Sequence, residues 1–266
     1  MDVLTERSSR VVSYAKLHRA SVRRAEGRFL VEGANSVVAA LDTGRAQVVL
    51  VRGSDAERHS ATVARAAADG IEILELSDRA ADKLSETTTA PGIFAVSSLL
   101  DARLDDVLAA GPRLLAVAVE PREPGNAGTL IRTADAMGAD AVLLLGDSVD
   151  PHNGKCVRSS AGSVFHLPLV RERSIDDGLT AVKDAGVSVL ATAADGEVSL
   201  DDAADLLTRP TAWLFGNEAH GLSDDVLAAA DHRVSIPIHG RAESLNLAAA
   251  ASICLYQSAV AQHRSE

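Results

Sequence analysis

Glu123-Pro124-Gly125-Asn126-Ala127-Gly128-Thr129-Leu130-Ile131-Arg132-Thr133-Ala134 opens on a turn and runs straight into a helical pattern. Two later stretches share its grammar. One is Leu214-Phe215-Gly216-Asn217-Glu218-Ala219-His220-Gly221-Leu222. The other is Ile236-Pro237-Ile238-His239-Gly240-Arg241-Ala242-Glu243-Ser244-Leu245-Asn246-Leu247. Each follows a short apolar run of the buried-strand type, and two of the three lead directly into a helix. Polar loops that expose backbone at the carboxyl ends of parallel strands are where open α/β sheets bind ligands. Three such loops in one half of a chain predict an α/β fold with one site built from all of them.

Strands are expected around these turns at Leu114–Val119, Ala141–Leu145, Val187–Ala191, Thr211–Phe215 and Val234–Ile236. Helices are expected near Thr129–Met137, Ile175–Ala185, Ser223–Ala230 and Leu245–Ala261. Arg158–Phe165 reads as a short helix leading to a strand. The first hundred residues form a smaller series. A helical stretch over 8–28 is followed by a strand at Phe29-Leu30-Val31-Glu32-Gly33 and a helix over Ala34–Leu41. Strands at Gln47–Val51, Ile71–Leu74 and Gly92–Val96 alternate there with helices near Ala56–Asp69 and Asp78–Leu84. Alternating strands and helices call for helices packed on a sheet. The charged stretch from Asp101, ending in Ala109-Ala110-Gly111-Pro112, reads as the linker. The expected division is therefore a domain over 1–100, a linker over 101–112 and a domain over 113–266.

At 266 residues and 47% hydrophobic, the chain has enough length and apolar content for a sizeable core. No apolar run reaches the roughly 20 residues that span a bilayer. The start, Met1-Asp2-Val3-Leu4-Thr5-Glu6, has no hydrophobic signal region, so a cytoplasmic protein is expected. Cys156 and Cys254 are far apart and unpaired in spacing, and the histidines form no ligand pattern, so neither disulfide nor metal is expected. The net charge of −11 argues against a general nucleic-acid coat, but its distribution is uneven. Arg7, Arg10, Lys16, Arg19, Arg23, Arg24 and Arg28 face only Glu26 in their stretch, giving it +6 and the rest of the chain −17. A basic segment in an acidic protein suits phosphate contact. A solvated helix with a cationic face explains the charge equally well.

Each turn has a functional and a plain reading. Asn126 and Arg132 suit an anion at a helix N-terminus, with the guanidinium forking onto phosphate. Equally, Asn126 suits a helix cap and Arg132 a surface ion pair. Gly216 either admits a ligand to the backbone or supplies positive φ. Glu218 is a site carboxylate or a helix-start acid. Ser244 is expected to cap the alanine-rich helix that follows Asn246. The chain has no G-x-G-x-x-G, G-x-x-x-x-G-K-[ST] or G-x-S-x-G, which sets aside dinucleotide dehydrogenases, P-loop enzymes and α/β-hydrolases.

The three turns, in order, resemble the signature motifs of the SpoU/TrmH-like branch of the SPOUT RNA methyltransferases. Asn153-Gly154-Lys155-Cys156-Val157-Arg158-Ser159-Ser160-Ala161-Gly162 matches an intermediate segment of that family. Ser8–Gly33 resembles the start of its small ribosomal-protein-like RNA-binding domain. The resemblance implies a C-terminal α/β knot, a trefoil-knotted parallel sheet with helices on both faces. Such a knot is a rare topology that periodicity does not suggest. It also implies a homodimer, S-adenosylmethionine as cofactor, and no metal. The cofactor is expected at the backbone of Gly216, Ile236 and Leu245. The polar active-site positions fall on Asn126, Arg132, Glu218, Ser244 and Asn246. The two-domain layout resembles the ribosomal RNA ribose methyltransferases, including those of the thiostrepton-resistance type.

The implied reaction is methylation of a ribose 2′-hydroxyl in structured RNA, ribosomal RNA first. Arg7, Arg10, Lys16, Arg19, Arg23, Arg24 and Arg28 are the candidate RNA contacts. The first ninety residues offer only Tyr14 and Phe29 for stacking, so arginines are expected to dominate RNA contact. The alternatives are a transfer-RNA 2′-O-methyltransferase and an inactive RNA-binding or ribosome-assembly protein of the same fold. Pattern alone also permits a small-molecule α/β enzyme with a nucleotide ligand.

Overall fold

The computed structural model describes residues 3–263. Met1 and Asp2, from the polar start, and residues 264–266, at the end of the expected second domain, lie outside the described residues. Two compact units emerge. The first runs to Leu100 and includes Asp150–His166, and the second comprises Asp101–Val149 and everything from Leu167.

The first unit has four strands, β1 (Arg28–Glu32), β2 (Ala46–Arg52), β3 (Glu72–Leu76) and β4 (Ile93–Ser98). They are ordered β1-β4-β2-β3, with β4 antiparallel to both neighbours and β2 parallel to β3. Leu30, Leu50, Phe94 and Val96 point into a core closed by Val11, Tyr14, Leu17, Leu76 and Leu84. The helical stretch over 8–28 is broken into helices Ser9–Ala15 and Ala20–Glu26 with a 3₁₀ turn between them. Gly27, in the left-handed region at φ 64°, ends it.

Asp150–His166 was expected beside the other motifs, yet it joins this first unit through specific partners. Arg158 reaches the buried Glu32 at 2.7 Å and Glu86 at 3.3 Å. Phe29 stacks on Phe165 and tilts against His152, with centroids 5.9 and 4.9 Å apart. The Leu100 N–H donates to His152 Nε2 at 3.0 Å, so His152 carries its proton on Nδ1 and donates it to Asp150. Asp150 also receives Arg23 at 2.5 Å.

This pairing corrects one RNA-contact expectation. Arg23 is 3% exposed, and its guanidinium serves Asp150 and the carbonyls of Leu17 and His18. Arg10 is committed to Glu72 through two 2.6 Å bonds, and Arg28 to Glu26 at 2.5 Å. Arg7, Lys16, Arg19 and Arg24 remain exposed.

The second unit has eight strands, β5 (Asp101–Ala102), β6 (Leu114–Val119), β7 (Ala141–Leu145), β8 (Leu169–Glu172), β9 (Ser188–Thr192), β10 (Val198–Ser199), β11 (Thr211–Phe215) and β12 (His232–Ser235). They form one sheet in the order β10-β12-β9-β11-β6-β7-β8-β5, parallel at every pairing. Every residue of β6, β7 and β11 is buried, as a sheet covered on both faces requires. The stretch read as a linker is structured. Asp101–Ala102 is the edge strand, held by two Asp101–Arg171 bonds of 2.6 and 2.8 Å, and Leu104–Ala109 is a helix.

The C-terminal helix Leu247–His263 is fastened to the sheet by polar bonds as well as packing. Trp213 is fully buried and its indole N–H donates to Ser258 at 2.8 Å. Gln262 donates to the carbonyls of Arg113 and Arg209, both at 3.1 Å. Cys156 and Cys254 are buried in separate units, and burial pushes both thiols up to about 12, which makes them inert.

Burial raises the cost of ionising Asp150, but the bonds from His152 and Arg23 outweigh it and hold the carboxyl well below its usual range. Its contribution to stability is fully present above the usual carboxylate range and is lost as pH falls from that range down to the depressed value. Arg23→Ala leaves that carboxylate and two carbonyls without their donor. It should cost about 3–5 kcal/mol of the first unit's stability in urea unfolding, and a loss below about 1 kcal/mol would contradict the buried-pair account.

Candidate functional site

The loops that follow β6, β9, β11 and β12 converge at the carboxyl edge of the sheet. They enclose a cavity of about 610 Å³, within the range of roughly 300–1,000 Å³ usual for small-molecule sites. Asn126, Gly216, Glu218, Ile236, Ser244, Leu245 and Asn246 all line it. Seven of the eight expected positions thus meet in one place. Arg132 does not: it lies exposed on the outer side of its helix, outside the lining. Among the described residues it makes no hydrogen bond or ion pair.

The capping expectations change on inspection. The first helix begins at Pro124, and its cap is Glu123, whose carboxylate accepts from the Gly125 N–H at 3.2 Å. Proline at the first position needs no N–H partner, so the helix starts there. Asn126 therefore sits inside the first turn, with its side chain free for other work. The last helix begins at Leu247, and Asn246 rather than Ser244 satisfies its first turn, accepting from the Ala248 N–H at 2.9 Å. Ser244 is exposed on the cavity wall.

Glu218 organises the centre. Its carboxylate accepts from the backbone N–H groups of Arg122 and Glu123 at 3.1 and 3.3 Å, and from Asn126 Nδ2 at 3.0 Å. The anion that the first helix start attracts is thus the protein's own. Asn246 Nδ2 in turn donates to Asn126 Oδ1 at 3.2 Å. One chain of bonds links all three turns. Burial favours the neutral acid of Glu218, but the bonds from Asn126, Arg122 and Glu123 prevail and hold its carboxyl below the usual range. The arrangement is therefore complete at neutral pH and loosens only as pH falls below the usual carboxylate range, to where this depressed carboxyl takes up its proton.

Of its two expected roles, Gly216 does not supply the positive φ, which in this turn belongs to Gly221 at 67°. A Cβ on Gly216 would lie 2.5 Å from the Leu222 nitrogen and 2.6 Å from the Gly221 oxygen. The turn closes on its own backbone there, and only glycine leaves room.

Reading the sequence missed three contributors. Asn217 ties the turn to Glu120. Asp195, on the loop after β9, lines the cavity and pairs with Arg233 at 3.5 Å. Glu243 lines the wall next to Ser244. The signal for the β9 loop was Ala193-Ala194-Asp195-Gly196, a turn after a strand like the other three. The lining carries the carboxylates Asp195, Glu218 and Glu243 and neither lysine nor arginine. Its apolar wall includes Phe215, Leu222, Val234, Ile236, Ile238 and Leu245. Such a site suits a positively charged ligand with apolar parts and disfavours a phosphate.

Fold and site together define a ligand-binding α/β domain, built at the carboxyl edge of a parallel sheet and joined to a smaller α/β unit. Residues 113–256 match the SpoU rRNA Methylase family, and residues 8–95 match the MRM3-like substrate binding domain. The chain belongs to the SpoU rRNA methylase family. Its fold is accordingly the SPOUT α/β knot with a smaller N-terminal α/β domain. It is 36% identical over 251 residues to the Bacillus subtilis (strain 168) 23S rRNA (guanosine(2553)-2′-O)-methyltransferase RlmP, covering 94% of this chain and 96% of that protein. It is 33% identical to the Streptomyces viridochromogenes 23S rRNA (uridine(2479)-2′-O)-methyltransferase, covering 96% and 91%. The crystal structure of the SpoU methyltransferase AviRb from Streptomyces viridochromogenes, in complex with the cofactor AdoMet, superimposes with a TM-score of 0.83 at 32% identity, covering 97% of this chain and 99% of that one.

Gly216→Ala should cost about 1–3 kcal/mol by overpacking the turn, roughly 2–10 °C in Tm. An unchanged melting curve would mean that the turn has room the geometry denies it.

Proposed function

We propose that this protein transfers a methyl group from S-adenosylmethionine to a ribose 2′-hydroxyl of ribosomal RNA. The observation that carries the reading is the convergence of the three family turns on one cavity whose charged lining is almost wholly acidic. S-adenosylmethionine brings, when bound, a methyl group on a positively charged sulfur, which leaves readily without a metal. The residues present fit it. The backbone of Gly216, Ile236 and Leu245 offers hydrogen-bond partners, Ile238 and Leu245 flank an apolar slot, and the carboxylates complement its charge.

The chain's own work is then positioning. Holding two reactants in line removes roughly 7–11 kcal/mol of barrier. Asn126, Glu218 and Asn246 form a fixed polar floor, and Ser244 lies beside them to hold the ribose. A guanidinium is a poor base for a hydroxyl proton, so Arg132 is not the proton acceptor. Its role is to grip the RNA phosphate and stabilise the developing alkoxide, while the proton passes to phosphate or water.

Arg132 meets this floor through a second copy of the chain. The helix Leu247–His263 contains no Asp, Glu, Lys or Arg, and it leaves Ile253 and Tyr256 38% and 55% exposed. It lies beside the Arg132 helix, with Thr133 and Ser252 hydroxyls 3.4 Å apart. An uncharged face bearing exposed apolar side chains supports a homodimer that buries it. The smaller unit reads the RNA through the exposed Arg7, Lys16, Arg19 and Arg24, and Arg10 and Arg28 must leave their carboxylate partners to join them. No helix among the described residues is long and apolar enough to cross a membrane. The reading places the protein in the cytoplasm, on its RNA.

Purified ribosomal and transfer RNA incubated with the protein and labelled cofactor should take up label in the ribosomal fraction. Label in transfer RNA alone would move the substrate class, and cofactor binding without label in either would favour the inactive RNA-binding alternative. Arg132→Ala should lower the rate by about 10²-fold or more, and a full rate would remove Arg132 from the mechanism. Ile253→Glu with Tyr256→Glu should convert the dimer to a monomer in light scattering and abolish transfer. A dimer that survives both changes lies on another face.

A further inference from the structure

Asn217 stands in the second turn, does not appear among the expected site residues, and is bonded through both its backbone and its side chain. Its backbone closes the turn on Gly221 through reciprocal bonds of 3.0 and 2.8 Å. Its Oδ1 accepts from the Ala219 N–H at 2.9 Å, shaping the same turn from within. Its Nδ2 leaves the turn and donates to the Glu120 carbonyl at 2.8 Å. Glu120 is the one described non-glycine residue besides Ala161 with positive φ, at 50°. A left-handed residue with a side chain is unfavourable and persists where surrounding bonds hold it. Two residues on, the Arg122 N–H is gripped by Glu218, the neighbour of Asn217.

We infer that Asn217 is a positioning residue for the transfer, coupling the turn that holds the methyl donor to the helix that presents Asn126. Asn217 fixes the carbonyl at the base of the 120–123 segment, and Glu218 fixes the N–H groups at its top. That segment leads directly into the Pro124–Ala136 helix, whose cap is Glu123. Movement of the turn on ligand binding is therefore passed to the helix through two side chains that are adjacent in sequence. The donor side and the acceptor side of the reaction are held in one frame, which a merely cofactor-binding residue would not achieve.

The inference rests on the methyltransferase reading, and two variants test it. Asn217→Ala removes both side-chain bonds. Asn217→Asp keeps the acceptor that shapes the turn but has no N–H for the Glu120 carbonyl, so it separates the link from the fold of the turn. At saturating cofactor and RNA, Asn217→Asp should lower the single-turnover rate at least about tenfold, because small misplacements of reacting groups cost factors of this order. RNA affinity measured without cofactor should stay within about twofold, since no RNA contact is removed. A rate that returns to wild type at saturating S-adenosylmethionine would overturn the inference and leave Asn217 a cofactor residue only. A second readout needs no activity. Hydrogen exchange over residues 116–130 should slow when S-adenosylmethionine is added to the wild type and stay unchanged in Asn217→Asp. Equal protection in both would also overturn it. A wild type that binds cofactor and transfers no methyl would refute the parent reading alone, and the exchange experiment would still decide this one.

Discussion

The site depends on one carboxylate accepting three hydrogen bonds. Glu218 reaches from the loop after β11 to the start of the helix after β6, where it takes the N–H groups of Arg122 and Glu123 and the amide of Asn126. A helix start carries unsatisfied N–H groups and partial positive charge, so an acid there is favourable in any protein. Here the acid comes from another loop. The same bonds that settle the helix also fix the separation of two turns that are far apart in sequence. Asn126, with its amide nitrogen committed to Glu218, offers its oxygen to Asn246 and extends the frame to the third turn.

The parallel sheet makes this possible. Because β12, β9, β11 and β6 are neighbours and run the same way, their following loops leave from one edge and within reach of each other. The strands β6, β7 and β11 are wholly buried, so the polar groups of the site come from the loops that follow the strands. What results is an acidic cavity with an apolar wall, complementary to a cation with apolar parts and poor for a bare phosphate. In the proposed reading the phosphate-binding charge sits elsewhere, on Arg132 outside the cavity and on the arginines of the smaller unit. That separation of charge matches a reaction with a cationic donor and an anionic acceptor.

Much of the sheet was legible because its strands are continuous apolar runs. Leu114–Val119, Ala141–Leu145 and Thr211–Phe215 begin and end where the sequence reading puts them. The motif turns were legible too, since glycine, asparagine and proline mark them directly. The errors concern partners far away in the chain. Whether Asn126 or Glu123 caps a helix, and whether Ser244 or Asn246 does, turns on a residue or two and on where Glu218 arrives. Arg23 reads as one more surface cation until Asp150, 127 positions away, is found beside it. Asp101–Ala102 reads as linker because a two-residue edge strand has no periodicity, and only Arg171 across the sheet reveals it. Asn217 lay in plain view within a motif, but its bond to a strained carbonyl is a property of the fold alone.

The central claim is that the three-turn cavity serves methyl transfer to a ribose oxygen, and the chemical position of the new methyl group tests it most directly. Ribosomal RNA incubated with the protein and S-adenosylmethionine can be digested to nucleosides and resolved by mass spectrometry. A gain of methyl mass confined to the sugar fragment of one nucleoside is the predicted result. A gain confined to a base fragment, with the sugar unchanged, would contradict the account, because the polar floor of Asn126, Glu218, Ser244 and Asn246 would then be serving a different acceptor.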